Sequence, residues 1–95
     1  MGVLQKLTDT MITLDQKTAE AIRIEMESIP EKYQKPFNST HEGLGVLREE
    51  YIELENEIFF GEKKGWLNNK NHKDRIREEA IQVAAMAARI IQELT

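Results

Sequence analysis

The stretch that decides the fold is "STHEGLGVLREEYIELENEIFFG", residues 39–61. Its apolar residues recur at alternating steps of three and four, which is the spacing of one face of an α-helix. They are Leu44, Leu47, Tyr51, Leu54 and Ile58. Ser39 and Glu42 have the spacing of a capping box, in which a hydroxyl and a carboxylate each bind a backbone amide of the first turn. With Gly61 as a candidate C-terminal cap, the stretch predicts a helix that begins near residue 40 and ends near Gly61.

Two further blocks of the chain have helical periodicity. Residues 72–94 carry one apolar stripe, made of Ile76, Ala80, Val83, Ala87, Ile90 and Leu94. The N-terminal block, from Leu4 to Ala21, repeats at the same steps and continues in a shifted phase to Ile29, which predicts one helix or two before Pro30 ends the block. No segment alternates with period two. The sequence therefore predicts an all-α helical bundle, folded as a single domain over residues 1–95.

Composition limits the classes of function. A formal net charge of −4 argues against a nucleic-acid partner, because such binding needs a basic surface. The chain has no cysteine, which excludes disulfides and cysteine-ligated zinc and favours a cytoplasmic location. No apolar run reaches the roughly 18 residues of a membrane span, so we expect no membrane partner.

Five glutamates lie within nine residues, in "EEYIELENE". At about 100° per residue, Glu50, Glu53 and Glu57 share one flank of the apolar stripe, whereas Glu49 and Glu55 point away from it. The glutamates on that flank can form a solvated helix face or hold a metal ion. The positions of polar side chains on the last helix bear on this choice.

On the last helix, Glu79 and Gln82 occupy the equivalent flank of its apolar stripe. If the two helices pack antiparallel through their stripes, equivalent flanks fall on the same side. A hairpin centred on residue 66 then brings Glu50 level with Gln82, and Glu53 level with Glu79. We therefore expect a central antiparallel helix hairpin with three carboxylates at one level.

Converging carboxylates repel one another and lose hydration, which is costly unless a cation neutralises them. Hard oxygen ligands suit Mg²⁺, and Mn²⁺ is also possible, with substrate phosphates completing the coordination. The alternative is an ordinary exposed face, because glutamate is a strong helix former. Periodicity leaves both interpretations open.

Two motifs resemble those of a known family. "EEYIE" (49–53) fits the EExxE motif of the MazG-like all-α nucleoside triphosphate pyrophosphohydrolases, and "EAIQ" (79–82) stands where that family has its second motif, ExxD. The run "FNSTHEGLGVLREEYIELENEI" followed by "REEAIQVAAMAARII" is similar to the small phage-type members of the family. The resemblance covers roughly residues 37 to 92, which is most of the chain.

The resemblance implies an Mg²⁺-dependent enzyme that hydrolyses a (d)NTP to a (d)NMP and pyrophosphate. It implies that Glu50, Glu53 and Glu79 are metal ligands and that Glu50 and Glu53 are catalytic, with Glu53 orienting or deprotonating the attacking water. Gln82 departs from the motif, which has Asp at this position. A glutamine offers a neutral carbonyl oxygen to the metal, carries no charge and cannot act as a base.

Binding a nucleoside triphosphate requires cationic side chains for the phosphates and a surface on which the nucleobase can stack. The candidates are Arg75 and Arg89 on the acidic flank, Lys73 beside the loop, His41 in the first turn of its helix, and Trp66 in the loop. His41 can instead be a structural hydrogen-bonding residue, and Trp66 can anchor the loop instead of stacking on a base.

A single hairpin leaves apolar side chains without partners, including Ile52, Phe59 and Phe60. We therefore expect the bundle to be completed by dimerisation, as a homodimer or homotetramer. The alternative to an enzyme is a noncatalytic acidic helical protein, either a nucleotide sensor or a protein-interaction module with a degenerate site. A third possibility is a bundle without any nucleotide site.

Overall fold

The computed structural model describes residues 13–29, 35–61 and 71–95. The regular structure in these ranges is helical: α1 at Gln16–Glu27, α2 at Thr40–Phe60 and α3 at His72–Leu94. No strand occurs in the described ranges, which confirms the predicted all-α class. None of these three helices combines the length and the apolar character that crossing a membrane requires.

Each helix begins at a polar N-cap whose side chain accepts a hydrogen bond from the backbone N–H three residues later. These caps are Asp15, Ser39 and Asn71, with distances of 2.7, 3.1 and 2.9 Å. Helices α2 and α3 therefore have the predicted bounds. The capping box differs in one partner, because the carboxylate of Glu42 accepts from Asn38 Nδ2 at 2.9 Å.

Helix α1 begins inside the N-terminal block of apolar periodicity, for which one helix or two were predicted. Asp15 is in an extended conformation and caps α1, so helical periodicity that continues through Leu14 is interrupted there. The predicted helical residues before Thr13 lie outside the described part of the chain. At the other end, Ser28 is the C-cap, and its N–H donates to Ile24 O at 2.9 Å. The helix therefore ends before Pro30, as predicted.

Helix α3 packs against both α1 and α2. The start of α2 meets the end of α3, since a Cβ atom on Gly43 would lie 3.0 Å from Leu94 Cδ1 and 3.1 Å from Ile90 Cγ1. The end of α2 meets the start of α3, where Glu57 pairs with Arg75. The first residues of α2 thus contact the last residues of α3, and the last residues of α2 contact the first of α3. The missing side chain of Gly43 permits the close approach of the two helices.

The core lies along α3. Phe37, Ala85 and Met86 are buried, and Ile22 and Met26 of α1 pack against them. Phe37 precedes α2, so that the segment leading into this helix is held against α3. The three helices thus share one apolar cluster.

Helix α2 is rotated about its axis relative to the predicted packing. Leu47 and Leu54 are partly buried, but Leu44, Tyr51 and Ile58 of the same stripe are 58%, 49% and 48% exposed. The face turned towards α3 instead includes Gly43, Val46, Glu50 and Glu57, which are buried or partly buried. The close approach at Gly43 and the Glu57–Arg75 pair account for the rotation.

Candidate metal centre

Three carboxylates come together between α2 and α3. Glu50, Glu53 and Glu79 can each offer one oxygen atom such that these atoms all lie within 4.8 Å of one another. Glu50 and Glu53 are three residues apart and are therefore neighbours on α2. Glu50 and Glu79 are half-buried, whereas Glu53 is exposed. The group is thus partly desolvated and open on one side, and we call it the carboxylate cluster.

Burial and mutual repulsion favour the protonated forms of these groups. Partial burial, followed by the charges of Glu53, Glu50 and Glu57, raises the pKa of Glu79 to about 7. The pKa of Glu50 is also raised, first by burial and then by Glu53. Glu25 of α1 adds further negative potential at Glu50. A proton or a bound cation would relieve this repulsion.

Gln82 lies against the same carboxylates. In the amide orientation that satisfies its neighbours, Nε2 donates to Glu50 Oε2 at 2.9 Å and to Glu79 Oε2 at 3.3 Å. The side chain thus directs its nitrogen, and not the carbonyl oxygen expected of a metal ligand, towards the carboxylate cluster. The role of Gln82 as a metal ligand stays a prediction. It requires the amide group to rotate so that its oxygen faces the carboxylate cluster.

The donor set of the carboxylate cluster fits a small hard cation. Oxygen ligands on opposite sides of Mg²⁺ are about 4.2 Å apart, because each lies roughly 2.1 Å from the ion. A separation within 4.8 Å therefore needs only a small adjustment of side chains. Three carboxylates without sulfur or imidazole favour Mg²⁺ or Mn²⁺ over softer metals.

Arg75, predicted to contact phosphate, is buried and ties the ends of two helices together. Its Nε donates to Glu57 Oε1 at 2.5 Å and its Nη2 donates to the carbonyl oxygen of Gly61 at 2.7 Å. A Cβ on Gly61 would overlap the Glu57 carboxylate, so a larger residue at this position would displace the carboxylate that Arg75 binds. These bonds give Arg75 a structural role one turn from Glu79.

The Glu57–Arg75 pair was not predicted from the sequence, although a signal for it was present. The register that places Glu50 beside Gln82 also places Glu57 beside Arg75, since both pairs are centred on residue 66. Charge complementarity at one more level of the same helix pair would have identified it.

The structure does not bring Arg89 to the carboxylate cluster. Ten residues of helix separate Arg89 from Glu79, or about 15 Å. The guanidinium lies 4.0 Å from the centroid of the Phe37 ring, Nε donates to Glu93 Oε2 at 2.7 Å, and Nη2 donates to Lys35 O at 3.0 Å. Arg89 also holds the pKa of Glu93 below its usual value. These contacts fasten the segment before α2 to α3.

Two of the remaining substrate candidates, His41 and Lys73, lie away from the carboxylates. His41 is exposed in the first turn of α2, about 13 Å along the helix from Glu50. Lys73 is exposed at the start of α3, about 9 Å along the helix from Glu79. Trp66 lies outside the described residues, so its predicted role stays a prediction.

No protein-family model, no curated protein and no solved structure matches this chain.

Proposed function

We propose that the protein holds Mg²⁺ or Mn²⁺ between α2 and α3 and hydrolyses nucleoside triphosphates to nucleoside monophosphates and pyrophosphate. The observation that carries this proposal is the convergence of Glu50, Glu53 and Glu79, with their oxygen atoms within 4.8 Å of one another. The resemblance of "EEYIE" and "EAIQ" to the MazG-like motifs supports the choice of reaction.

The three carboxylates have different environments and therefore different proposed roles. Glu50 and Glu79 are half-buried and are the principal cation ligands. When bound, the cation would neutralise negative charge on the carboxylates and on the substrate phosphates. Glu53 is exposed, so its carboxylate can reach both substrate and water. It is the proposed base: it accepts a proton from the water as the water oxygen bonds to one phosphorus of the anhydride between the α- and β-phosphates, and the other phosphate leaves with the electrons of the broken P–O bond.

The test of this proposal is pyrophosphate release by the full chain from a panel of canonical and modified (d)NTPs. We expect turnover that requires Mg²⁺ or Mn²⁺ and that falls at least about 100-fold in Glu53→Gln. Glu55→Gln is the matched control, because Glu55 is exposed on the same helix and outside the carboxylate cluster. The absence of turnover across the panel would overturn the hydrolase proposal.

The hydrogen bonds of Gln82 favour a second candidate function. Its amide donates to Glu50 and Glu79 and so offsets part of their repulsion without a metal. A site of this kind suits a noncatalytic nucleotide sensor or interaction module. Stabilisation by nucleotide without turnover would support this alternative. If nucleotide neither stabilises the protein nor is hydrolysed, the result would support a helical bundle without a nucleotide site.

Gln82→Asp separates the two candidates. The substitution restores the charge that the family motif has, so the hydrolase proposal predicts tighter Mg²⁺ binding, by about tenfold, and faster turnover. Isothermal titration and pyrophosphate release measure the two effects. Unchanged Mg²⁺ affinity would remove Gln82 from the proposed coordination shell.

The proposal extends to the assembly and its location. We propose that α2 and α3 form the central antiparallel hairpin of a bundle completed in a homodimer or homotetramer. The proposed substrate is a soluble nucleotide in the cytoplasm, with no nucleic-acid or membrane partner. The formal charge of −4 supports the absence of a nucleic-acid partner.

A further inference from the structure

One face of α2 is turned away from α3 and is largely apolar. Between residues 44 and 59 this face consists of six residues, all exposed: Leu44, Arg48, Tyr51, Ile52, Glu55 and Phe59. At about 100° per residue they fall within an arc of roughly 100°, so they form one continuous surface, here called the outer face of α2. Its four apolar side chains are between 49% and 70% exposed. A clustered apolar surface of this kind is typical of an interaction site.

The outer face is complementary to itself. Its six positions are symmetric about the midpoint between Tyr51 and Ile52. A two-fold axis through this midpoint, perpendicular to the helix, would place Tyr51 opposite Ile52 of a second copy. The same axis would place Leu44 opposite Phe59 of the second copy. In a two-fold interface each such contact occurs twice. The outer face therefore fits a second copy of this chain.

The charges of the outer face select the antiparallel orientation. Within the described part of the chain, the ion pairs involve neither Arg48 nor Glu55. The two-fold axis would place Arg48 opposite Glu55 of the second copy, and Glu55 opposite its Arg48. A parallel copy would instead place like charges at the same level, which is unfavourable.

A cavity beside the outer face has room for side chains of a partner helix. It has a volume of about 520 Å³ and is lined by Leu44, Leu47, Arg48, Tyr51 and Val83. Val83 belongs to α3, so the cavity lies in the groove between the two helices. Glu50 points about 150° away from the centre of the outer face. A copy bound there would leave the carboxylate cluster accessible.

We propose that the outer face of α2 is a homodimer interface, in which the α2 helices of two copies pack antiparallel about a two-fold axis between Tyr51 and Ile52. The surface, the orientation and the register all go beyond the proposed function. They do not depend on metal binding or on hydrolysis. Loss of the dimer and loss of pyrophosphate release are therefore separate results.

Sedimentation velocity of the full chain over a range of concentrations tests this interface. We expect a dimer whose dissociation constant rises about tenfold or more in Arg48→Glu, because two ion pairs become two repulsive pairs. Glu55→Arg should weaken the dimer similarly. The double variant Arg48→Glu/Glu55→Arg should recover to within about threefold of the wild type, because the charges are exchanged across the axis.

The matched control is Arg77→Glu, which makes the same charge change at an exposed residue of α3 outside the outer face. It should leave the dissociation constant unchanged. Circular dichroism of each variant separates dissociation from unfolding. A wild type that stays monomeric, single variants that dimerise normally, or a double variant as weak as the single ones would each overturn the proposed interface.

Discussion

Neutralising Glu79 should stabilise the protein in the presence of a chelator. The carboxyl has a folded-state pKa of about 7, against an ordinary value of 4.5, because it is partly buried and faces the charges of Glu53 and Glu50. Glu79→Gln keeps the shape of the side chain and one acceptor oxygen and removes the charge. The substitution thus removes a repulsion that the folded state otherwise bears at neutral and alkaline pH.

The sign and size of the effect follow from proton binding. Below pH 4.5 the carboxyl of Glu79 is protonated in both the folded and the unfolded states, so it contributes no difference. Between 4.5 and about 7 the folded state retains a proton that the unfolded state has lost, and the free energy of unfolding falls as pH rises. Since Glu79 is only half-buried, solvent screening reduces the full effect above pH 7 to about 1–2 kcal/mol.

Urea unfolding in EDTA, followed by circular dichroism at fixed protein concentration, measures this difference. We expect Glu79→Gln to be more stable than the wild type by about 1–2 kcal/mol at pH 8, with the two converging near pH 4. Glu78→Gln is the control, because Glu78 is exposed and outside the carboxylate cluster, and it should not stabilise. Equal or lower stability of Glu79→Gln at pH 8 would refute the repulsion between the carboxylates.

Two further pairs of substitutions test the packing of α2 on α3. Gly45→Ala should raise the free energy of unfolding by about 1 kcal/mol, because alanine is the better helix former and nothing lies within 4 Å of the added Cβ. Gly43→Ala should be at least about 1 kcal/mol less stable than Gly45→Ala, since its Cβ would meet α3 side chains at 3.0 and 3.1 Å; urea unfolding that shows equal gains would contradict the close approach. Arg75→Met should destabilise by about 3 kcal/mol, because it leaves the Glu57 carboxylate, 15% exposed, without its arginine partner and with only the His72 imidazole at 3.5 Å. The exposed control Arg77→Met should change the free energy of unfolding by less than about 0.5 kcal/mol. Equal effects of Arg75→Met and Arg77→Met would be evidence against the structural role of Arg75.

Local signals were sufficient to predict the bounds of two helices. Ser39 and Asn71 each accept a hydrogen bond from the backbone three residues later, and the apolar stripes begin within the next turns. Such signals act over a few residues and can be identified without knowledge of the tertiary structure. For α1 the apolar repeat did not locate the start of the helix, because the N-cap at Asp15 begins α1 while the repeat already includes Leu14.

The rotation of α2 could not be predicted from its apolar stripe. Periodicity placed the stripe of Leu44, Tyr51 and Ile58 against α3, but these side chains are about half exposed. Two long-range features orient the helix instead, the missing side chain at Gly43 and the ion pair of Glu57 with Arg75. A helical stripe wider than one partner can cover does not specify which part of it is covered.

Helix phase and register placed Glu50, Glu53 and Glu79 at one level, and the structure brings these three side chains together. The same reasoning was less informative for the arginines. Arg75 and Arg89 lie on the acidic flank in phase, but phase does not identify the acceptor that each guanidinium binds. Carboxylates and carbonyls elsewhere on the chain bind both of them.

Titration with Mn²⁺ followed by electron paramagnetic resonance tests most directly whether the carboxylate cluster holds a divalent cation, as we propose. The wild type should bind Mn²⁺ saturably and release it to excess Mg²⁺. Glu50→Gln should weaken binding at least about tenfold, because Glu50 is a principal ligand, whereas Glu55→Gln should bind as the wild type does. Equal Mn²⁺ affinity in the wild type and Glu50→Gln would contradict the proposed site, because the metal would then be held elsewhere on the acidic surface.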